Sequence, residues 1–180
     1  MNGTLLLHVC CAPDATVAFE RLSKDWNVVG YFFNPNIHPA EEYAKRLQDF
    51  LQLGCRMGME VRSGDYLVQE WFEVVKGLEN EPEKGRRCEV CIDFRLRNTA
   101  QIAYREGFDA FATVLTVSPH KNAQYINQSG QNLASEFTTT YLITDLKKQD
   151  GFKRSIELSR EYGLYRQKYC GCEFSRSGSL

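Results

Sequence analysis

The chain has no apolar run approaching the roughly 18 residues that cross a bilayer as a helix, and Met1-Asn2-Gly3-Thr4 carries none of the basic charge of a secretory leader. Leu5-Leu6-Leu7-His8-Val9-Cys10 is too short, and wrongly flanked, to be a lipoprotein signal. The expectation is a cytoplasmic protein that stays out of the membrane. An excess of charge is missing too: 22 Lys and Arg against 23 Asp and Glu, with a pI near 6.3, exclude a globally basic nucleic-acid binder and leave only local patches for RNA. Repeats and low-complexity segments are absent. So is a phosphate-binding G-x-x-x-x-G-K-[ST] loop, which weighs against ATP hydrolysis.

Cysteine, by contrast, is plentiful. Seven cysteines in a chain expected in a reducing compartment point to metal binding or redox work rather than structural disulfides. They fall as adjacent Cys10-Cys11, as Cys88-x-x-Cys91, as Cys170-Gly171-Cys172, and as the single Cys55, which follows an amphipathic helix and reads as a small buried hydrophobe.

With 43% apolar residues, the chain can bury one substantial core. Residues 1–180 read as a single α/β metal-binding domain, in which 170–180 form a C-terminal Cys-Gly-Cys segment and a loose tail. Patterning predicts a strand over 4–9, a turn at Cys10-Cys11-Ala12-Pro13-Asp14 and a helix over 15–22. A strand over 27–33 and a helix over 39–54, with Tyr43, Leu47, Phe50 and Leu51 on its apolar face, come next. A strand over 59–62, a helix over 66–78, a charged loop over 80–85 and a helix from Arg87 to the Gly107 stop follow. The remaining expectations are a strand over 110–117, a polar helix over 122–136, a strand over 140–143 and a helix over 152–162. Strands alternating with helices imply a doubly wound, mostly parallel sheet, which binds ligands at the carboxyl ends of its strands. Cys10 and Cys11 lie at such an end.

A 4Fe-4S cluster takes four thiolates; Cys88 and Cys91 offer two from one helical turn, and Cys10 and Cys11 could offer two more. Clustered cysteines without paired histidines favour iron-sulfur, with Cys-rich zinc and thiol-only redox chemistry as the alternatives. A Cys170–Cys172 disulfide would close a tight, easily reduced ring, which favours a redox role. Asp14, three residues after Cys11, either complements a helix dipole or faces the thiolates as an iron ligand or proton carrier. His8 and His38 read as structural, while His120 and Lys121 are candidates for ligand contact. Arg87 and Arg95, among Lys84, Arg86 and Arg97, could hold phosphates, and Lys147, Lys148, Lys153 and Arg154 form a second basic patch.

Leu7-His8-Val9-Cys10-Cys11-Ala12-Pro13-Asp14, Tyr31-Phe32-Phe33-Asn34-Pro35-Asn36-Ile37, Arg87-Cys88-x-x-Cys91-x-x-x-Arg95, Ser118-Pro119-His120-Lys121 and Tyr169-Cys170-Gly171-Cys172 together resemble the QueH family, the cobalamin-independent epoxyqueuosine reductases. The resemblance spans nearly the whole chain. It implies an adenine-nucleotide-hydrolase-like (HUP-like) three-layer α/β/α fold and the reduction of epoxyqueuosine to queuosine in tRNA. On matching positions it implies a 4Fe-4S cluster on Cys10, Cys11, Cys88 and Cys91, a redox-active disulfide pair at Cys170 and Cys172, and an adjacent extra iron for which Asp14 is the candidate ligand. Arg87, Arg95, His120 and Lys121 would contact the tRNA anticodon loop, and an electron donor is required. Tyr31, Phe32 and Tyr125 are candidates to stack on the unpaired base. Two other functions remain open: a zinc-stabilised RNA-binding module, and an ATP-dependent tRNA sulfur-transfer enzyme, against which the missing phosphate loop argues.

Overall fold

A computed structural model describes residues 3–178, with side chains described as far as Ser175. Four strands, β1 (Thr4–His8), β2 (Asn27–Phe32), β3 (Glu60–Ser63) and β4 (Ala110–Thr113), form one sheet in the order β3-β2-β1-β4, every pair parallel. Leu5, Leu6 and Leu7 of the central β1 are fully buried, as expected of a strand covered on both faces.

Helix α1 (Ala12–Leu22) packs beside α2 (Ala40–Met57) and α6 (Gly151–Glu161), while α4 (Arg86–Glu106) packs on β1 and β4 beside α5 (Ala123–Phe137). The result is a three-layer α/β/α arrangement. Short α3 (Val68–Val74) rests against α4. Gly30 of β2 lets the outer layer close tightly on the sheet: a Cβ there would stand 2.7 Å from the Phe50 ring and 2.9 Å from the Phe19 ring.

Chain punctuation follows local chemistry. The expected Gly107 stop ends α4 in the left-handed region, φ 73°, which costs glycine little. Asn122 caps α5 by accepting the Tyr125 backbone N–H at 3.1 Å. Pro13 sits at the second position of α1, still in the first turn where a missing N–H is harmless.

Several expectations need correction. The strand expected over 110–117 pairs only through Thr113; Val114–Val117 winds into a buried 3-10 turn, capped by Thr113 Oγ1 accepting the Leu115 N–H at 3.1 Å. The cause lies in the neighbour: His8 pairs with Thr113, and β1 then leaves the sheet, so no ladder remains beyond. The strand expected over 140–143 reduces to a single bridge, Phe111 to Tyr141. Helix 66–78 shortens to Val68–Val74. On α2 the buried stripe is Tyr43, Arg46, Phe50, Leu53 and Gly54, so Leu51 is left outside it, and Cys55 is exposed rather than buried. Of the tail, Ser175 to Gly178 belong to a 3-10 segment (Glu173–Gly178), and 179–180 lie outside the described residues.

Candidate metal centre

Between β1 and β4 the strand order reverses, and the two chains part at their carboxyl ends to leave a crevice. His8 sets its floor. Fully buried, it donates from Nε2 to the Phe33 carbonyl at 3.2 Å, which fixes Nδ1 as the acceptor for the Thr113 hydroxyl at 2.9 Å. One neutral imidazole therefore ties the ends of three adjacent strands together. Burial, with the nearby Arg95 charge, pushes its pKa down to about 3.

Two residues on, the backbone turns into α1 and presents Cys10 and Cys11, whose sulfurs are 3.9 Å apart. Together with a carboxylate oxygen of Asp14, one helical turn further, they form a group whose ligand atoms all lie within 4.8 Å of one another. The hydrogen bond between the two sulfurs holds Cys10 low, and the same bond with burial pushes the Cys11 thiol well up. Burial also raises Asp14 to about 6, against the pull of Lys121. Two thiols and a carboxyl this close and this buried cannot all be anionic without a cation among them, so the donor set suits a metal.

The second pair comes from α4, whose first two turns carry Cys88 and Cys91 on the wall of the same cavity. The Lys84 backbone N–H donates to Cys88 Sγ at 3.2 Å, and Trp71 Nε1 donates to Cys91 Sγ at 3.4 Å. Burial raises the Cys88 thiol. The third pair arrives from the far end of the chain. Cys170 accepts the Cys172 N–H at 3.4 Å and approaches Ser175 Oγ at 3.4 Å; the Cys172 thiol, donating to Cys170, holds Cys170 low and is itself raised. All seven cysteines are free.

These pieces enclose a cavity of about 310 Å³ lined by Cys10, Cys88, Cys91, Cys170, Cys172 and Asp14, with Cys11 just behind Cys10. Its other walls are cationic. Arg95 is buried with Nε on the Cys91 carbonyl at 3.2 Å, and the Lys121 charge acts on Cys10, Asp14, Cys88 and Cys170 alike. Arg87 also lines the cavity, but its Nη1 donates to the carbonyls of Leu78, Glu79 and Glu81 and so shapes the loop before α4. His120 sits exposed at the rim.

The second basic patch is largely neutralised, since Arg154 pairs with Glu20 and Glu157, and Lys147 and Lys148 pair with Asp145. None of the three candidate stacking aromatics lines the cavity. Phe32 is buried among Tyr43 and Phe50, Tyr31 donates to Asn98, and Tyr125 donates to Asp93. Phe152 and Tyr169 line it instead, as do Arg46, Arg166 and Asn36. Sequence reasoning had no signal for Arg46 or Arg166, which look like ordinary charges on solvated faces. Trp71, the donor to Cys91, had none either.

Fold and site together define a HUP-like α/β/α protein with a cysteine-lined pocket at the switch point of its sheet. The fold is shared with the U34-tRNA thiolase NcsA from Methanococcus maripaludis, solved with its 4Fe-4S cluster: TM-score 0.57 at 13% identity, over 96% of this chain and 61% of that one. The chain belongs to the epoxyqueuosine reductase QueH family, whose family model matches residues 5–178. It is 46% identical to the epoxyqueuosine reductase QueH of Streptococcus pyogenes serotype M1, over 97% of this chain and 71% of that protein. The QueH of Thermotoga maritima is 37% identical over 96% of this chain and 90% of its own length. No helix among the described residues is long and apolar enough to cross a membrane.

Proposed function

We propose that this protein reduces epoxyqueuosine to queuosine in tRNA, using residues 1–180 as one metal-binding unit in the cytoplasm. The observation that carries the reading is that cysteines from three pairs far apart in sequence, Cys10, Cys88 with Cys91, and Cys170 with Cys172, line one cavity with cationic walls.

The donor set fits an iron-sulfur group. Cys10, Cys11, Cys88 and Cys91 would hold a 4Fe-4S cluster and Asp14 an adjacent iron; when bound, the cluster would supply one-electron transfer only. The two electrons and two protons come from the protein's own residues. Opening the epoxide to the alkene consumes two electrons and two protons and releases the oxygen as water. The Cys170–Cys172 dithiol carries that count: two S–H bonds break, one S–S bond forms, and an external two-electron, two-proton donor returns the pair to thiols. Lys121, with exposed His120 beside it, would attract the anionic RNA, while buried Arg95 and Arg87 add positive charge to the cavity wall. Tyr169 and Phe152 offer aromatic surface to an unstacked base.

The test is anaerobic purification with iron, sulfide and zinc analysis, a visible spectrum, and an assay on tRNA carrying epoxyqueuosine. A brown protein with about four or five irons and four sulfides per chain, matching a four-thiolate cluster with or without one extra iron, and formation of queuosine are expected. Cys88→Ala should lose colour and turnover, whereas Cys170→Ala should lose turnover and keep the colour. Stoichiometric zinc without iron after attempted reconstitution would sink the redox reading and leave the zinc-stabilised RNA-binding module. Strict dependence of turnover on ATP would point to the sulfur-transfer alternative.

A further inference from the structure

Arg46 is an arginine on the buried stripe of an otherwise ordinary amphipathic helix, with 2% of its surface exposed. Burying a guanidinium is costly unless every arm is engaged. Here the engagement is specific: Nε donates to Glu42 Oε1 at 2.7 Å, Nη1 to the Cys170 carbonyl at 3.1 Å and Nη2 to the Tyr169 carbonyl at 3.0 Å. The guanidinium carbon also stands 5.3 Å from the centre of the Tyr169 ring. Glu42 in turn accepts the Tyr165 hydroxyl, at 3.1 Å to Oε2.

The same stretch is pinned by the segment just before α2. The His38 N–H donates to the Gly171 carbonyl at 2.7 Å, and the Tyr169 hydroxyl donates to the His38 carbonyl. Gly171 adopts φ 105°, and a Cβ there would come within 2.8 Å of Ile37 Cγ1, so the backbone between the two cysteines lies flat against the β2–α2 connection. The carbonyls of Tyr169, Cys170 and Gly171 are thus each held by a donor from residues 38–46.

We propose that Arg46 is a positioning residue for the Cys170–Cys172 pair. Its planar fork reads two successive carbonyls at once and fixes the segment that carries the pair against the cavity wall. Lysine, a single point of charge, cannot hold both carbonyls in that geometry. The inference rests on the reading of Cys170 and Cys172 as the redox pair, but its test does not need the reductase activity.

The experiment is timed alkylation of the anaerobically purified, reduced full chain with iodoacetamide, mapped by peptide mass spectrometry, for wild type, Arg46→Met and Arg46→Lys. In Arg46→Met, labelling of Cys170 and Cys172 should accelerate about tenfold or more, the scale expected when charge-assisted bonds restraining one segment are lost. Labelling of Cys88 and Cys91, and the visible spectrum, should stay as in wild type. Arg46→Lys keeps the stem and the buried charge, so it reports even where Arg46→Met does not fold, and should give a smaller acceleration confined to the same two cysteines. With substrate, kcat should fall while KM for tRNA holds. Unchanged labelling at Cys170 and Cys172 overturns the proposal. So does an equal acceleration at Cys88 and Cys91 in Arg46→Lys, which would make Arg46 a general core residue. A wild type that labels as expected but forms no queuosine refutes the reductase reading alone.

Discussion

Replacing His8 with leucine tests whether the imidazole joins the strand ends beneath the metal centre. Leucine is close to histidine in volume, so the cavity left is small and the loss falls on hydrogen bonding. Two buried groups lose their partner: the Phe33 carbonyl loses its Nε2–H donor, and the Thr113 hydroxyl loses Nδ1 as acceptor. Each buried polar group left unpaired costs about 1–3 kcal/mol, and the threonine hydroxyl, which still accepts from Leu115, falls at the low end, so the total is about 2–4 kcal/mol. With a urea m-value of about 2 kcal/mol/M for a chain of this size, the unfolding midpoint should drop by about 1–2 M. Far-UV circular dichroism through a urea series measures it. The double variant His8→Leu/Thr113→Val removes both ends of one bond and should regain part of the loss, because replacing both partners by apolar groups is far cheaper than orphaning one. A midpoint within about 0.3 M of wild type, below the smallest cost of one orphaned group, would refute the reasoning.

Three further outcomes follow from the geometry. Trp71→Phe removes the N–H donor on Cys91 Sγ and should shift the midpoint potential of a cluster held there downward, since such bonds stabilise the more negative reduced state; redox titration followed in the visible spectrum reads it. Lys121→Gln should weaken tRNA binding at every sequence and reduce the slope of log K against log salt by about one, the contribution of one phosphate contact; filter binding from 50 to 200 mM salt, the range over which such slopes resolve, provides the check. Gly171→Ala places a methyl at φ 105° and within 2.8 Å of Ile37, so turnover should fall without loss of bound metal; iron analysis beside the activity assay separates the two.

Much of the fold is legible locally. Leu5 to Leu7, Asn27 to Phe32 and the Gly107 stop announce their elements, because burial on both faces and glycine's access to positive φ leave direct marks on residue choice. The errors share a cause. An apolar run such as Val114–Val117 is buried whether it is strand or turn, and its state depends on whether a neighbouring strand is still present to pair with. Leu51 and Arg46 show the same limit on a helix: helical spacing locates an apolar stripe, yet one of the residues buried on it is an arginine, two of whose partners arrive from 123 and 124 positions away.

By itself the amino-acid order determined most of the helices, the first three strands, the α/β class, the spacing of the thiols and the family to which they belong, because those are properties of neighbours along the chain. Only the tertiary structure decided that Cys10, Cys88 and Cys170 share one cavity, that Cys55 stays outside it, that Lys121 and Arg46 line it and that Trp71 donates to one of its cysteines. The physical reason is that the site is made where strands diverge at the sheet's carboxyl edge. Which residues meet there depends on strand order and on hydrogen bonds between segments remote in sequence.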